Sequence, residues 1–149
     1  MKKATAFWDA SALVPLCVHE AASRSAYSHL RKFTPVVWWG SFVEVHSAIC
    51  RLQRGKAITD SGKTGAVARL RLLSQAWKEI LPGDQVREMA LQLLDTHSLR
   101  AADSLQLAAS LTWCEHYPSK RSFVCGDQRL SAAAKSIGFS VVELPSAPP

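Results

Sequence analysis

The sequence predicts an α/β fold in which helices cover both faces of a parallel sheet, and three observations predict it. Short apolar runs alternate with longer stretches of helical periodicity, the order that βαβ units produce. Parallel strands need a crossover of a dozen or more residues between them, and the segments here have that length. The chain has 149 residues, 48% of them apolar and 20% charged, with a mean hydropathy of 0.00. That is the balance of one globular domain large enough to bury its own core.

The elements follow in order along the chain. Residues 5–8 form an apolar run stopped by Asp9, a buried strand. Residues 12–31 read as helix, broken near Pro15 and restarted around His19 and Glu20. Pro35, Val36, Val37 and Trp38 make a second strand. Residues 41–54 are helical, with Phe42, Val45, Ile49 and Leu52 at spacings of three and four, and Gly55 ends the helix. Another helix is expected over 59–78, with Ala66, Leu70, Leu73, Trp77 and Ile80 along one face. Pro82-Gly83 is a turn, and Asp84 is a suitable cap for a helix carrying Val86, Met89, Ala90, Leu93 and Leu94. A further Ala/Leu-rich helix runs over 103–113. A strand over 122–125, a helix over 128–136 closed by Gly138 and a last strand over 140–143 complete the pattern. The sequence reads as one domain over 1–144 and a frayed, Pro-rich tail over 145–149.

Several classes are excluded. The apolar fraction is too high for intrinsic disorder, and no stretch approaches the roughly 20 apolar residues that a membrane span needs. Met1-Lys2-Lys3 ahead of an apolar run imitates a signal peptide. Asp9 interrupts that run, however, and no small-residue cleavage site follows it cleanly. Cys17, Cys50, Cys114 and Cys125 form no C-x-x-C pair and read as reduced thiols of a cytoplasmic protein.

Sheets of this class bind ligands beyond the carboxyl ends of their strands, at a switch in strand order. Four acids fall at such positions. Asp9 follows the first strand, and Glu44 lies in the first turn of the helix after the second. Asp103 opens the Ala/Leu-rich helix, and Asp127 follows the strand over 122–125. Each has an ordinary explanation as a helix cap. Asp9 and Asp127 precede helices, Ser41 to Glu44 spells a capping box, and Asp103 to Gln106 is a variant of one. Capping, though, would be served equally by Ser or Thr, and here all four positions carry an acid in a chain with a net charge of +6. Carboxylates brought together repel and raise one another's pKa. A hard divalent cation offsets that cost, and an oxygen-only donor set suits Mg²⁺ or Mn²⁺ rather than Zn²⁺.

Four blocks in this order resemble a PIN domain: Phe7-Trp8-Asp9-Ala10-Ser11-Ala12-Leu13-Val14, Ser41-Phe42-Val43-Glu44, residues 99–108 around Ala102-Asp103-Ser104, and Phe123-Val124-Cys125-Gly126-Asp127-Gln128-Arg129-Leu130. The single-domain size resembles the VapC-type toxins of prokaryotic toxin–antitoxin systems. The resemblance implies a three-layer α/β/α sandwich with a short, mainly parallel central sheet. It also implies a metal-dependent endoribonuclease in which Asp9, Glu44, Asp103 and Asp127 hold Mg²⁺ or Mn²⁺ and drive RNA cleavage. Ser11 matches a small hydroxyl that the family often places two residues after its first Asp. Cys125 departs from the pattern, standing where relatives often have Thr or Ser. The implied partners are an RNA substrate, a second copy of the chain, and a small antitoxin whose C-terminal segment lies over the site.

The rest of the sequence fits that chemistry. His19, His29, His46, His97 and His116 have no motif context, so nothing suggests a Ser/His or Cys/His nucleophile. Outside the four acids, eighteen Lys and Arg face eight Asp and Glu. Arg51, Arg54, Lys56, Lys63, Arg69, Arg71 and Arg129 would guide an RNA backbone, an attraction that weakens with salt. Trp38 and Trp39 suit core or interface packing better than base stacking. Two other readings remain. A phosphoryl-transfer receiver would want an acidic pair after the first strand and a late Lys, but only Asp9 stands there. A catalytically degenerate PIN-like RNA-binding module would be expected to have lost one of the acids.

Overall fold

The computed structural model describes residues 2–145. Twelve elements follow in the order β1 (Ala4–Trp8), α1 (Ala10–Cys17), α2 (Ser23–Lys32), β2 (Phe33–Trp38), α3 (Ser41–Arg54), α4 (Asp60–Ser74), β3 (Lys78–Ile80), α5 (Asp84–Thr96), α6 (Ala101–Trp113), β4 (Ser122–Cys125), α7 (Gln128–Ser136) and β5 (Ser140–Glu143). The strands form one sheet in the order β3-β2-β1-β4-β5, parallel throughout.

Strand periodicity explains why both faces are covered. Successive side chains point to opposite faces, so a run of consecutive apolar residues feeds two cores. On one face Ala6, Trp8, Val37 and Val124 pack with Leu13 and Leu16 of α1, Ala26 of α2, Val45 and Ile49 of α3, and Leu70 of α4. On the other, Phe7, Val36 and Phe123 pack with Val86 and Leu93 of α5, Leu107 of α6 and Leu130 of α7. Phe7 is in register with both Val36 and Phe123, and its ring stacks on that of Phe123 at 5.4 Å. The result is the three-layer α/β/α sandwich expected of a PIN-like fold.

The strand order creates the crevice. From β1 the chain steps outward through β2 to β3, then returns to the opposite side of β1 for β4 and β5. The reversal lies between β1 and β4, where the loops leaving the two strands diverge to opposite faces. Asp9 still donates its backbone N–H to the Val124 carbonyl at 3.2 Å, so the first acid is anchored at this switch point.

Three local expectations are corrected. The helix over 59–78 ends at Ser74, and Lys78–Ile80 is an edge strand paired with β2. Trp77 and Ile80 prolong the helical spacing by coincidence, and three residues are too few to display a strand period. The first helix is not broken at Pro15 but runs through it to Cys17, held by buried Ala12, Leu13 and Leu16; the gap falls between Cys17 and Ser23. Asp84 is the first residue of α5, with Gly83 as its cap, and pairs at the surface with Arg87 at 3.7 Å. The expected frayed tail lies, apart from Pro145, outside the described residues. The four cysteines are unpaired thiols. Among the described residues no helix is long and apolar enough to cross a membrane.

Candidate active site

Asp9, Glu44, Asp103 and Asp127 all line one cleft of about 710 Å³ at the switch point, together with Ser11, Gln106 and Gly126. They arrive from four places: the end of β1, the first turn of α3, the first turn of α6 and the loop after β4. Helices from both layers therefore contribute to a single floor.

Asp9 is 4% exposed and caps α1 by accepting the Ser11 N–H at 3.0 Å. The Ser11 hydroxyl lies 2.8 Å from each carboxylate oxygen and accepts the Gly126 N–H at 2.9 Å. This small network ties the end of β1 to the loop after β4. Gly126 is required there, because a Cβ would stand 3.2 Å from the Ser11 carbonyl and 3.5 Å from its hydroxyl. Burial pushes the Asp9 carboxyl up to about 6, against the Ser11 and Cys125 hydrogen bonds, with the Asp127 charge adding to the rise.

Asp127 caps α7, its Oδ1 accepting the Leu130 N–H at 2.9 Å. Cys125 performs the local bonding a hydroxyl would perform. Its Sγ accepts the Asp127 N–H at 3.4 Å, donates to the Asp127 carbonyl at 3.3 Å and lies 3.8 Å from the Ser11 hydroxyl. Burial pushes the thiol far up, so it is an inert neutral group at this place.

Glu44 is not a capping residue. Gly40 precedes α3, Ser41 is its first, fully buried residue, and no side chain caps the helix. The Glu44 carboxylate instead accepts the Gln106 Nε2 at 2.5 Å, and the same nitrogen donates to the Ser41 hydroxyl at 2.9 Å. Burial raises the Glu44 carboxyl to about 7; Gln106 opposes the shift, and Asp9 and Asp103 reinforce it. Asp103 sits in the first turn of α6 behind Arg100. Its carboxyl is raised by burial and then by Asp127, while the Arg100 N–H and the charges of Arg100 and Arg129 act the other way.

The four acids are thus electrostatic neighbours, as these mutual shifts require. Two of them also cap helices, and two do not. Among the described residues no three His, Cys, Asp or Glu side chains are gathered tightly enough to hold an ion as they stand. Mutual repulsion of ionised carboxylates holds such a set open. The donor chemistry nevertheless suits a hard cation. Every candidate ligand is an oxygen, and two of the carboxyls are desolvated and destabilised in their charged form, a cost that a divalent ion offsets.

Sequence reasoning missed Gln106 as a functional residue. The available signal was its position three residues after Asp103, which places both on one helical face. None of the five histidines lines the cleft, in keeping with their lack of motif context. Trp38 is buried in the core and Trp39 is half exposed, and neither borders the cleft. Arg51 and Arg129 do border it, joined by Arg100.

No family model and no curated protein matches the sequence. Solved structures do match in fold. A toxin–antitoxin complex from Klebsiella pneumoniae superposes with a TM-score of 0.62 at 15% identity, covering 86% of this chain and 91% of that one. PAE2754 from Pyrobaculum aerophilum gives 0.64 at 17% identity, over 94% of this chain and 89% of that one. FitAcB from Neisseria gonorrhoeae gives 0.61 at 13% identity, over 92% and 96%. At such identities the likeness is one of architecture.

Proposed function

We propose that the chain is a metal-dependent endoribonuclease of PIN type that hydrolyses RNA phosphodiester bonds as the toxin of a toxin–antitoxin module. The observation that carries this reading is the meeting of four acids, from four separate elements, on the floor of one cleft at the switch point. The likeness in fold to structures that include a toxin–antitoxin complex supports it. A cognate antitoxin, a homodimer and a cytoplasmic setting belong to the same proposal.

Asp9, Glu44, Asp103 and Asp127 would hold Mg²⁺ or Mn²⁺. Such an ion, when bound, supplies an acidified water and neutralises charge on the phosphate oxygens. The chain's other residues fix the ligands. Ser11 fastens both oxygens of Asp9, Gln106 fastens one oxygen of Glu44, and the N-terminus of α7 orients Asp127. Rigid support of this kind keeps a ligand set in one geometry between turnovers.

The test is incubation of the purified protein with total RNA in Mg²⁺, Mn²⁺ or EDTA, beside Asp9→Asn and Asp103→Asn. The expected result is divalent-dependent cleavage in the wild type and a loss of 100-fold or more in both variants, the scale (roughly) that removal of a metal-holding group produces. Folded variants cleaving at the wild-type rate would refute the proposal. RNA binding without cleavage under any cation would favour the degenerate module instead.

A further inference from the structure

We infer that Arg51, Arg100 and Arg129 form a phosphate-binding rim that grips the backbone of a nucleic-acid strand around the cleft, so that the site selects a chain of phosphodiesters rather than particular bases. The inference deepens the nuclease reading and rests on it.

The three guanidinium groups come from separate helices. Arg51 is in the last turn of α3, Arg100 caps the N-terminus of α6, and Arg129 is the second residue of α7. All three are exposed and line the cleft that holds the four acids. Arg100 and Arg129 stand close enough for their charges to act on Asp103. Even so, the ion pairs found among the described residues are Arg87 with Asp84 and Lys135 with Glu143, and no rim arginine pairs with a floor acid. Arg51 donates one N–H to the Ser47 hydroxyl at 3.1 Å and keeps the rest of its fork.

An arginine beside under-compensated carboxylates gains by folding onto them, unless the two charges belong to different subsites. The floor here is shaped for a cation and the rim for anions. A ligand that needs both is a phosphodiester approaching a bound metal. Three forks set on three helices exceed what one phosphate can use, and match successive phosphates along a strand. None of the residues lining the cleft is aromatic, so it offers no platform for stacking bases. Affinity must then come mainly from charge and fall with salt.

The experiment compares cleavage of a fluorogenic single-stranded RNA with hydrolysis of bis(p-nitrophenyl) phosphate, a lone diester, across a range of KCl. It uses the wild type, the three single Arg→Ala variants, the triple variant and the surface control Arg87→Ala. Each rim substitution is expected to raise KM for RNA several-fold and to flatten the log–log salt slope by about 0.7, the value for one phosphate contact on a single strand. The triple variant should lose at least tenfold more on RNA than on the lone diester, while Arg87→Ala keeps the wild-type slope. A triple variant with the wild-type slope, or with equal losses on both substrates, overturns the rim. If the wild type hydrolyses neither substrate, fluorescence anisotropy of labelled RNA in Mg²⁺ still decides. Salt-dependent binding lost in the triple variant then upholds the rim while the nuclease reading fails, and binding retained overturns both.

Discussion

Gln106 on α6 and Glu44 on α3 are joined by a 2.5 Å hydrogen bond from the Gln106 Nε2, although the two helices belong to opposite layers of the sandwich. Gln106 is 1% exposed, so the bond forms in a place where water does not compete. Asp103 lies three residues earlier on the same helix. One face of α6 therefore supplies an acid to the floor and clamps the acid supplied by α3.

Gln106→Leu removes that clamp, leaving the Glu44 carboxylate and the Ser41 hydroxyl without their donor. Unmade bonds of this kind cost about 1–3 kcal/mol each when buried. The expected outcome is a lower Tm and a weaker Mg²⁺ affinity, measured by thermal unfolding with and without the ion and by titration calorimetry. A variant with unchanged Mg²⁺ affinity would reduce Gln106 to a packing residue.

Ser11→Ala leaves the Gly126 N–H unsatisfied and frees both oxygens of Asp9 from the hydroxyl. A stability loss of about 1–2 kcal/mol is expected in urea unfolding, with a roughly tenfold fall in kcat from a disoriented Asp9. Ser11→Thr, which keeps the hydroxyl, should recover more of the activity than Ser11→Ala does. Equal activity in the two variants would count against the network.

Capping and metal holding are separable at Asp127. Asp127→Ser keeps an acceptor for the Leu130 N–H and should remain within about 0.5 kcal/mol of wild-type stability, whereas Asp127→Ala should lose about 1 kcal/mol. Both should lose cleavage alike. If Asp127→Ser cleaves as the wild type does, the carboxylate serves only as a cap.

The acidic floor also sets a pH dependence. In the folded chain Asp9 and Glu44 hold their protons to about pH 6 and about pH 7, above the values of 3.8 and 4.5 of the free groups. The folded state therefore binds more protons than the unfolded state across that window, and stability falls as pH rises through it. For buried Asp9 the loss is on the order of 2–3 kcal/mol. Metal-free protein should accordingly be more stable to urea at pH 5 than at pH 8. Asp9→Asn should flatten the difference, and Mg²⁺ should restore stability at pH 8. Equal stability of the metal-free wild type at the two pH values would show that the floor carries no such cost.

Much of this molecule was legible from residue order. Seven-residue spacings placed α3, and its bounds at Ser41 and Arg54 agree with the expectation. Apolar runs ending in an acid placed β1 and β4, because a strand buried on both faces must be apolar on consecutive residues and must end where polarity begins. What escaped was β3, whose three residues Lys78, Glu79 and Ile80 follow a helix with matching phase. The capping box at Ser41 was misleading for a similar reason. A local pattern described Glu44 as a backbone partner, and a distant side chain claimed it.

Residue order alone determined the α/β class, the four acids and the basic character of the remainder, since each depends on composition or on periodicity within a dozen residues. Tertiary structure alone decided that β1 and β4 lie side by side, that Gln106 reaches Glu44, and that three arginines stand over the floor without pairing with it. These are relationships between segments far apart in the chain. They are fixed by which faces pack together, and no local periodicity encodes that choice.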